Sequence, residues 1–447
     1  MEHLERLREL DRTVVWHAFS QMAEYEGLII ERADGCWLTD VEGKRYLDGA
    51  SSLWCNLFGH RVPEIDRAIV EQLGRVAHVT NLGMSHPTTI RFAERLVELA
   101  GRNLEHVFFS GDGASAVEVA MKMAFQYWRQ IPTAQPKRTK FLALGQAYHG
   151  DTLGTVSLGG VSRFQSLFEP LLFDVVRGPC PDGYRRPEGM TESQACEYYL
   201  GCYAKLMDEH EGEIVAVVAE SCIQAAAGFV MQPKGFLRGL QRLCRERGEL
   251  LILDEIAVGM GRTGKMFAFE HEETDKERMT PDFVCLGKGL TGGYLAMSAT
   301  LTTRCVWESF LGRREEGRAF LHGHTYGGNP LAAAAGNAVL DIFQGRLRLE
   351  TIAARGEEFG AGLEELRGSP YVEDVRKLGM MGCIQMGGMV GGFSEGCNRS
   401  GAVCRELLKS GIWLRPLGDV VPVLPPLVYN DFSMLIQGLG RAMESVG

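Results

Sequence analysis

Leu250-Leu-Ile-Leu-Asp254-Glu255 and, further along, Leu286-Gly-Lys288-Gly-Leu-Thr-Gly-Gly293 are the two stretches on which the reading of this chain turns. The first is a short apolar run closed by a carboxylate, the pattern of a strand buried on both faces. The second places a lysine between glycines directly after another apolar run, Phe283-Val-Cys-Leu286. A lysine at a strand end is poised to form an imine with an aldehyde. An aspartate at the tip of a neighbouring strand is poised to hold a pyridinium N–H. Those are the two protein groups that pyridoxal 5'-phosphate requires.

Working outward, short apolar runs alternate with helical patterns through the middle of the chain. His106-Val-Phe-Phe-Ser110, Lys140–Leu144, Ile214–Ala219, Leu250–Leu253, Phe283–Leu286 and Met297–Leu301 read as strands, several of them apolar without alternation. Val117, Ala120, Met121, Ala124 and Trp128 fall at helical spacing and give the segment after the first strand one apolar face. The expectation is an α/β domain with a mostly parallel sheet over residues 65–330, followed by a smaller α+β lobe over 331–447 that carries a glycine-rich loop at Gly387–Gly392. In such sheets ligands bind beyond the carboxyl ends of the strands. Ser110-Gly-Asp-Gly-Ala114, Tyr148-His-Gly-Asp151, Glu220, Asp254-Glu255 and Lys288 all fall at predicted strand ends, and that convergence outweighs any single motif.

The chain has 447 residues, ample for a large core, with 45% apolar and 23% charged side chains and a net charge of −10. An acidic chain lacks the basic face that nucleic acid requires. No run is apolar and long enough to span a bilayer, and the N-terminus has no apolar signal core. The twelve cysteines form no CxxC pair and no metal-ligand spacing with histidine, so they read as buried thiols in a reducing cytosol, with no metal site expected.

Two glycine motifs compete for attention. Gly259-Met-Gly261-Arg-Thr-Gly264 fits the dinucleotide pattern and, with Lys265, nearly fits a phosphate-binding P-loop. Met266 stands where the Mg²⁺-binding hydroxyl belongs, and the motif follows the acidic strand instead of preceding it. The dinucleotide reading requires a glycine-packed helix, which Met266-Phe-Ala-Phe-Glu270 does not suggest. A glycine-rich turn after the aspartate strand fits better, and a nucleotide-binding protein remains a distant alternative.

Trp16–Met22, Ser51–His60, Val117–Trp128, Tyr148–Gly154, Asp254–Lys265, Phe320–Pro330 and Arg415–Asp419 together resemble class III aminotransferases. Within that family they are most similar to the branch that aminates 8-amino-7-oxononanoate to 7,8-diaminononanoate in biotin synthesis. The resemblance runs from about Trp16 to Pro426. It implies the fold type I architecture of pyridoxal-phosphate transferases, with segment 1–64 contributing to the small domain and a homodimer that shares its active sites. Another class III ω-aminotransferase is the alternative within the family.

By the same resemblance, Lys288 holds the cofactor and then serves as acid and base, while Asp254 keeps the ring nitrogen protonated. Tyr148 stacks on the ring, and Glu220 positions the aspartate or the cofactor hydroxyl. Gly113 and Ala114 lie in the phosphate loop, where the family has serine at position 114, and Asp112 adds a negative charge nearby. Gly323, His324 and Thr325 fall in the segment that reaches the site from the partner subunit. Arg415 pairs with the distal carboxylate of the substrate, and Trp54 walls its aliphatic chain. The amino donor is S-adenosylmethionine in the best-known branch and lysine in a smaller one. Phe19, Leu53 and His324, where the adenosylmethionine branch has tyrosine, tryptophan and proline, lean towards lysine.

Overall fold

The computed structural model describes residues 2–387 and 399–446; most of the glycine-rich loop expected at Gly387–Gly392 lies outside the described residues. At its centre is a seven-stranded sheet. Its strands are β1 (Leu104–Ser110), β2 (Lys140–Ala143), β3 (Val176–Arg177), β4 (Ile214–Glu220), β5 (Leu250–Asp254), β6 (Phe283–Leu286) and β7 (Ser298–Thr303). The spatial order is β1-β7-β6-β5-β4-β2-β3, and only β7 runs antiparallel to its neighbours.

Every residue of β4, β5 and β6 is buried. Because side chains alternate across a sheet, Leu250, Ile252, Phe283 and Cys285 join one apolar cluster, while Leu251, Leu253, Val284 and Leu286 join another. Helix α1 (Gly113–Gln130) covers the first face through Ala116, Val117, Ala120, Ala124 and Trp128. Helices α2 (Phe236–Arg247) and α3 (Pro330–Gln344) contribute Leu237, Leu240, Ala335 and Val339 to the other cluster. The sheet is therefore sandwiched, which is why its strands carry no polar alternation.

The six strands expected from sequence are present. The two-residue β3 at the sheet edge was not expected. All strands but β7 point the same way, so the ends of β1, β2, β4, β5 and β6 open on one edge, as the sequence implied. Gly259–Gly264 folds as turns, and a 3₁₀ segment, Ala268–Glu272, follows in place of the helix a dinucleotide site requires.

A second, four-stranded sheet joins the two ends of the chain. Ile30–Asp34, Trp37–Asp40 and Arg45–Asp48 form an antiparallel meander, and Ile412–Trp413 pairs with its last strand in parallel, Leu47 opposite Ile412. A three-stranded antiparallel sheet (Val372–Leu378, Met381–Met386, Val420–Val423) completes the C-terminal region.

Candidate active site

Asp254 ends β5 beside Glu220 of β4 and Cys285 of β6, and is 5% exposed. One carboxylate oxygen accepts the Ile256 amide at 2.9 Å; the other lies 2.8 Å from His149 Nδ1. Burial works against a charge on His149, but the bond to Asp254, its charge and that of Glu220 outweigh burial and raise the imidazole pKa. Because a carboxylate only accepts, Nδ1 carries the N–H that holds the aspartate in place. Among the described residues its buried Nε2 meets no partner. Sequence reading passed over this residue although it stands inside the Tyr148-His-Gly-Asp block.

Glu220 is buried, and its two oxygens accept the amides of Tyr148 and Ala225, each at 3.0 Å. Burial lifts its pKa to about 7, with the cation at His149 pulling down and Asp254 pushing up. The glutamate thus fixes the backbone from which Tyr148 projects. The phenol of Tyr148 donates to Asp151 at 2.8 Å, and its ring tilts against Phe164 at 5.3 Å between centroids. Burial, reinforced by that hydrogen bond, raises the phenol pKa and keeps it protonated.

Lys288 follows β6 in a single 3₁₀ turn with φ +42°, a left-handed conformation that costs a side-chain-bearing residue about 1–2 kcal/mol. Burial lowers its pKa, and Asp254, Cys55, Glu220 and Asp151 only partly restore it. A lysine whose charge is disfavoured is one whose nitrogen is available for attack on a carbonyl. Its Nζ stands 5.6 Å from the centre of the Trp54 ring.

Ile256 bridges Asp254 to the start of α1. A methyl group on Gly113 would fall 2.9 Å from two Ile256 carbons, and Gly287, the residue before the lysine, packs on the same side chain. On the other side, Gly150 has φ +128° and a Cβ there would sit 2.4 Å from Ala114 Cβ. Tyr148-His-Gly-Asp, the start of α1 and the lysine turn thus meet in direct contact. Asp112 is the N-cap of α1: its carboxylate takes the Ser115 amide at 2.9 Å and the Ser115 hydroxyl at 2.7 Å. The charge that looked out of place in the sequence has this local use. Among the described residues, the amides of Gly113 and Ala114 meet no acceptor, leaving two donors at the positive end of an 18-residue helix. An aldehyde-reactive lysine, a locked carboxylate and free amides at a helix start together fit pyridoxal phosphate.

Trp54 lies at the end of an unexpected left-handed turn: Ser51, Ser52, Leu53 and Trp54 have φ values of 47°, 45°, 66° and 73°. Arg415 lies apart from Lys288 in contact terms, with its guanidinium 5.6 Å above the Phe19 ring. Phe19 meets Phe164 edge-on at 5.7 Å, and Phe164 meets Tyr148, so an aromatic chain links Arg415 to the lysine crevice. Gly323 and Thr325 are exposed and His324 is half-buried, on a segment laid along α1. Lys122 of α1 lies 3.0 Å from His322, and Gln126 donates to the carbonyl of Ala319 at 3.2 Å. Among the described residues none of these three touches Lys288 or Asp254 of its own chain.

A strand-end lysine and a caged aspartate on a sandwiched, mostly parallel sheet define a pyridoxal-phosphate transferase. A family model described as aminotransferase class-III matches residues 19–440, and the chain belongs to that family of pyridoxal-phosphate enzymes. Adenosylmethionine-8-amino-7-oxononanoate aminotransferase of Nitratidesulfovibrio vulgaris is 46% identical, covering 96% of this chain and 79% of its own. The protein of the same name from Geobacter sulfurreducens is 39% identical, with 99% and 98% covered. Among solved structures, that of the Methanocaldococcus jannaschii adenosylmethionine-8-amino-7-oxononanoate aminotransferase superposes with a TM-score of 0.91 at 37% identity, covering 99% of both chains.

Proposed function

We propose that this aminotransferase passes an amino group to the ketone of 8-amino-7-oxononanoate, giving 7,8-diaminononanoate for biotin synthesis. The observation that carries the chemistry is the pairing of Lys288, its basicity lowered by burial, with an Asp254 caged by His149 and the Ile256 amide. The substrate assignment is supported by relatives that carry this activity in their names at 37–46% identity over nearly the whole chain. Bound pyridoxal phosphate supplies an electron sink for the carbanion formed next to the transferred nitrogen.

The chain's own residues do the rest. Lys288 would provide the amine that holds the cofactor and the base and acid that move a proton at the substrate carbon. Asp254 would pair with the ring nitrogen, and His149 keeps Asp254 aimed. Tyr148 would cover a ring face, with Glu220 fixing its backbone. The amides of Gly113 and Ala114 take the phosphate. Trp54 walls the chain of the substrate, and Arg415 takes the distal carboxylate.

In our reading the chain acts as a cytosolic homodimer, with segments 1–64 and 331–447 forming the small domain around a large domain at 65–330. Gly323, His324 and Thr325 then serve the site of the second copy. The sheet shared by Leu47 and Ile412 supports the domain division. An apolar surface with Leu82 packed on Gly323 and Tyr326 68% exposed supports the dimer. No helix among the described residues is long and apolar enough to cross a membrane.

The donor is lysine or S-adenosylmethionine: Phe19, Leu53 and His324 favour the first, the names of the relatives the second. The visible spectrum of the purified protein decides. We expect a yellow absorbance that bleaches on adding the true donor and returns with 8-amino-7-oxononanoate, and Lys288→Ala to abolish turnover with the fold intact. Bleaching by lysine alone, or by adenosylmethionine alone, names the donor. No absorbance even with added pyridoxal phosphate would sink the aminotransferase assignment for this chain.

A further inference from the structure

The turn that carries Trp54 is built against the conformational preference of its residues. Four consecutive residues, none of them glycine, sit in the left-handed region. Such a run persists only where its surroundings over-determine it. The surroundings here are specific. Asp48, fully buried at the end of its strand, accepts the Ser52 amide on Oδ1 at 2.8 Å. Its Oδ2 accepts the Ser52 hydroxyl at 2.7 Å and lies 3.0 Å from His60 Nε2. Ser51 donates its hydroxyl to the Leu424 carbonyl at 2.6 Å, and the Trp54 amide closes the turn onto the Ala50 carbonyl at 2.8 Å.

Beyond the turn the chain is pinned to the lysine loop itself. A methyl group on Gly293 would fall 2.0 Å from Asn56 Oδ1, and one on Gly289 would fall 2.9 Å from the Leu57 methyls. The Leu57 carbonyl accepts the Leu427 amide at 2.7 Å. The indole of Trp54 is thereby held 5.6 Å from Lys288 Nζ and meets the Phe229 ring edge-on at 5.6 Å, which makes it a wall beside the lysine nitrogen.

We propose that Asp48 is a positioning residue for the reaction: by clamping the left-handed turn Ser51–Trp54 it holds the Trp54 indole against Lys288 and so fixes the wall that selects the keto substrate. This inference rests on the aminotransferase reading of Lys288. A carboxylate is needed because three donors converge on two oxygens. An asparagine in either orientation offers a single acceptor atom and turns an N–H₂ group towards at least one of those donors.

The test compares Asp48→Asn with Ser52→Ala, which keeps the buried carboxylate and removes one tie. Each is prepared with Trp54 and with Trp54→Phe, so that the difference in fluorescence isolates Trp54 among the tryptophans. In Asp48→Asn the Trp54 emission is expected to move to longer wavelength and to become more accessible to acrylamide. The KM for 8-amino-7-oxononanoate should rise about tenfold, as for loss of one charge-assisted hydrogen bond, with kcat changing by about twofold at most. Ser52→Ala should shift both readouts in the same direction by a smaller factor, and it carries the test if Asp48→Asn does not fold. An unmoved Trp54 emission, an unchanged KM, or a loss confined to kcat overturns the proposal. Absence of cofactor absorbance in the unmodified protein would instead overturn the reading of Lys288, while the emission still reports on the clamp.

Discussion

Asp254 and Lys288 could be picked out from their strand ends, but what makes them work was not visible at that level. His149 neighbours a tyrosine in sequence, and nothing in its position announces that its ring turns inward to the aspartate on a strand two places away in the sheet. Only the closed geometry of 2.8 Å, with both groups buried, assigns it. Replacing His149 by alanine leaves the Asp254 carboxylate buried without its imidazole donor, a loss of about 1.5–3 kcal/mol for a hydrogen bond to a charged group. We expect kcat to fall about tenfold to a hundredfold with a smaller change in KM, and a lower Tm, measured by steady-state kinetics and thermal melts on the same preparations. Trp54, Tyr148 and Glu220 were singled out in the sequence by residue type and position. Of the partners that orient them, Phe229 is remote from Trp54 in sequence, while Asp151 and the Ala225 amide lie three and five residues from Tyr148 and Glu220 and are brought to bear only by the folded turns between them.

The central strands were readable because burial on both faces leaves only one pattern, an unbroken apolar run between turns. β3 escaped because two residues at a sheet edge carry no pattern at all. The Ser51–Trp54 turn escaped for a different reason: local propensity argues against it, and hydrogen bonds that Ser52 and Ser51 donate to Asp48 and the Leu424 carbonyl override that propensity. Helix α1 offers a direct test of how an element's own cap bears on its ligand. Asp112 caps the helix well, but it sets a carboxylate beside the two free amides where the cofactor phosphate is expected, and Ala114 brings no hydroxyl. Serine caps a helix about as well as aspartate and carries no charge. The double variant Asp112→Ser, Ala114→Ser should therefore keep its Tm and bind pyridoxal phosphate about tenfold more tightly, a gain of roughly one hydrogen bond to a charged group. Titration of the cofactor-free protein followed by absorbance measures it, and equal affinity would show that Asp112 does not act on the phosphate.

At the scale of the molecule, the apolar side chains left outside are the informative ones. Trp16 is 89% exposed, Leu321 88% and Tyr326 68%, and Leu82 packs on the very segment, Gly323–Thr325, proposed to serve a second copy. Charges placed there by Leu82→Lys with Tyr326→Glu should yield a monomer that loses its cofactor absorbance on gel filtration, with light scattering giving the mass; a dimer of unchanged mass would move the interface elsewhere. The sheet that pairs Leu47 with Ile412 has a consequence of another kind. A ribosome releases the first of these residues hundreds of positions before the second, so the meander of Ile30–Asp48 must wait, its last strand lacking its second neighbour, until the C-terminal region has emerged. The α/β layers can close behind it, but the wall beside Lys288 cannot, since Ser51 and Leu57 are tied to Leu424 and Leu427. The wall of the crevice is thus closed by some of the last residues to be made, and a product of synthesis that stops short of Leu424 cannot hold a finished one.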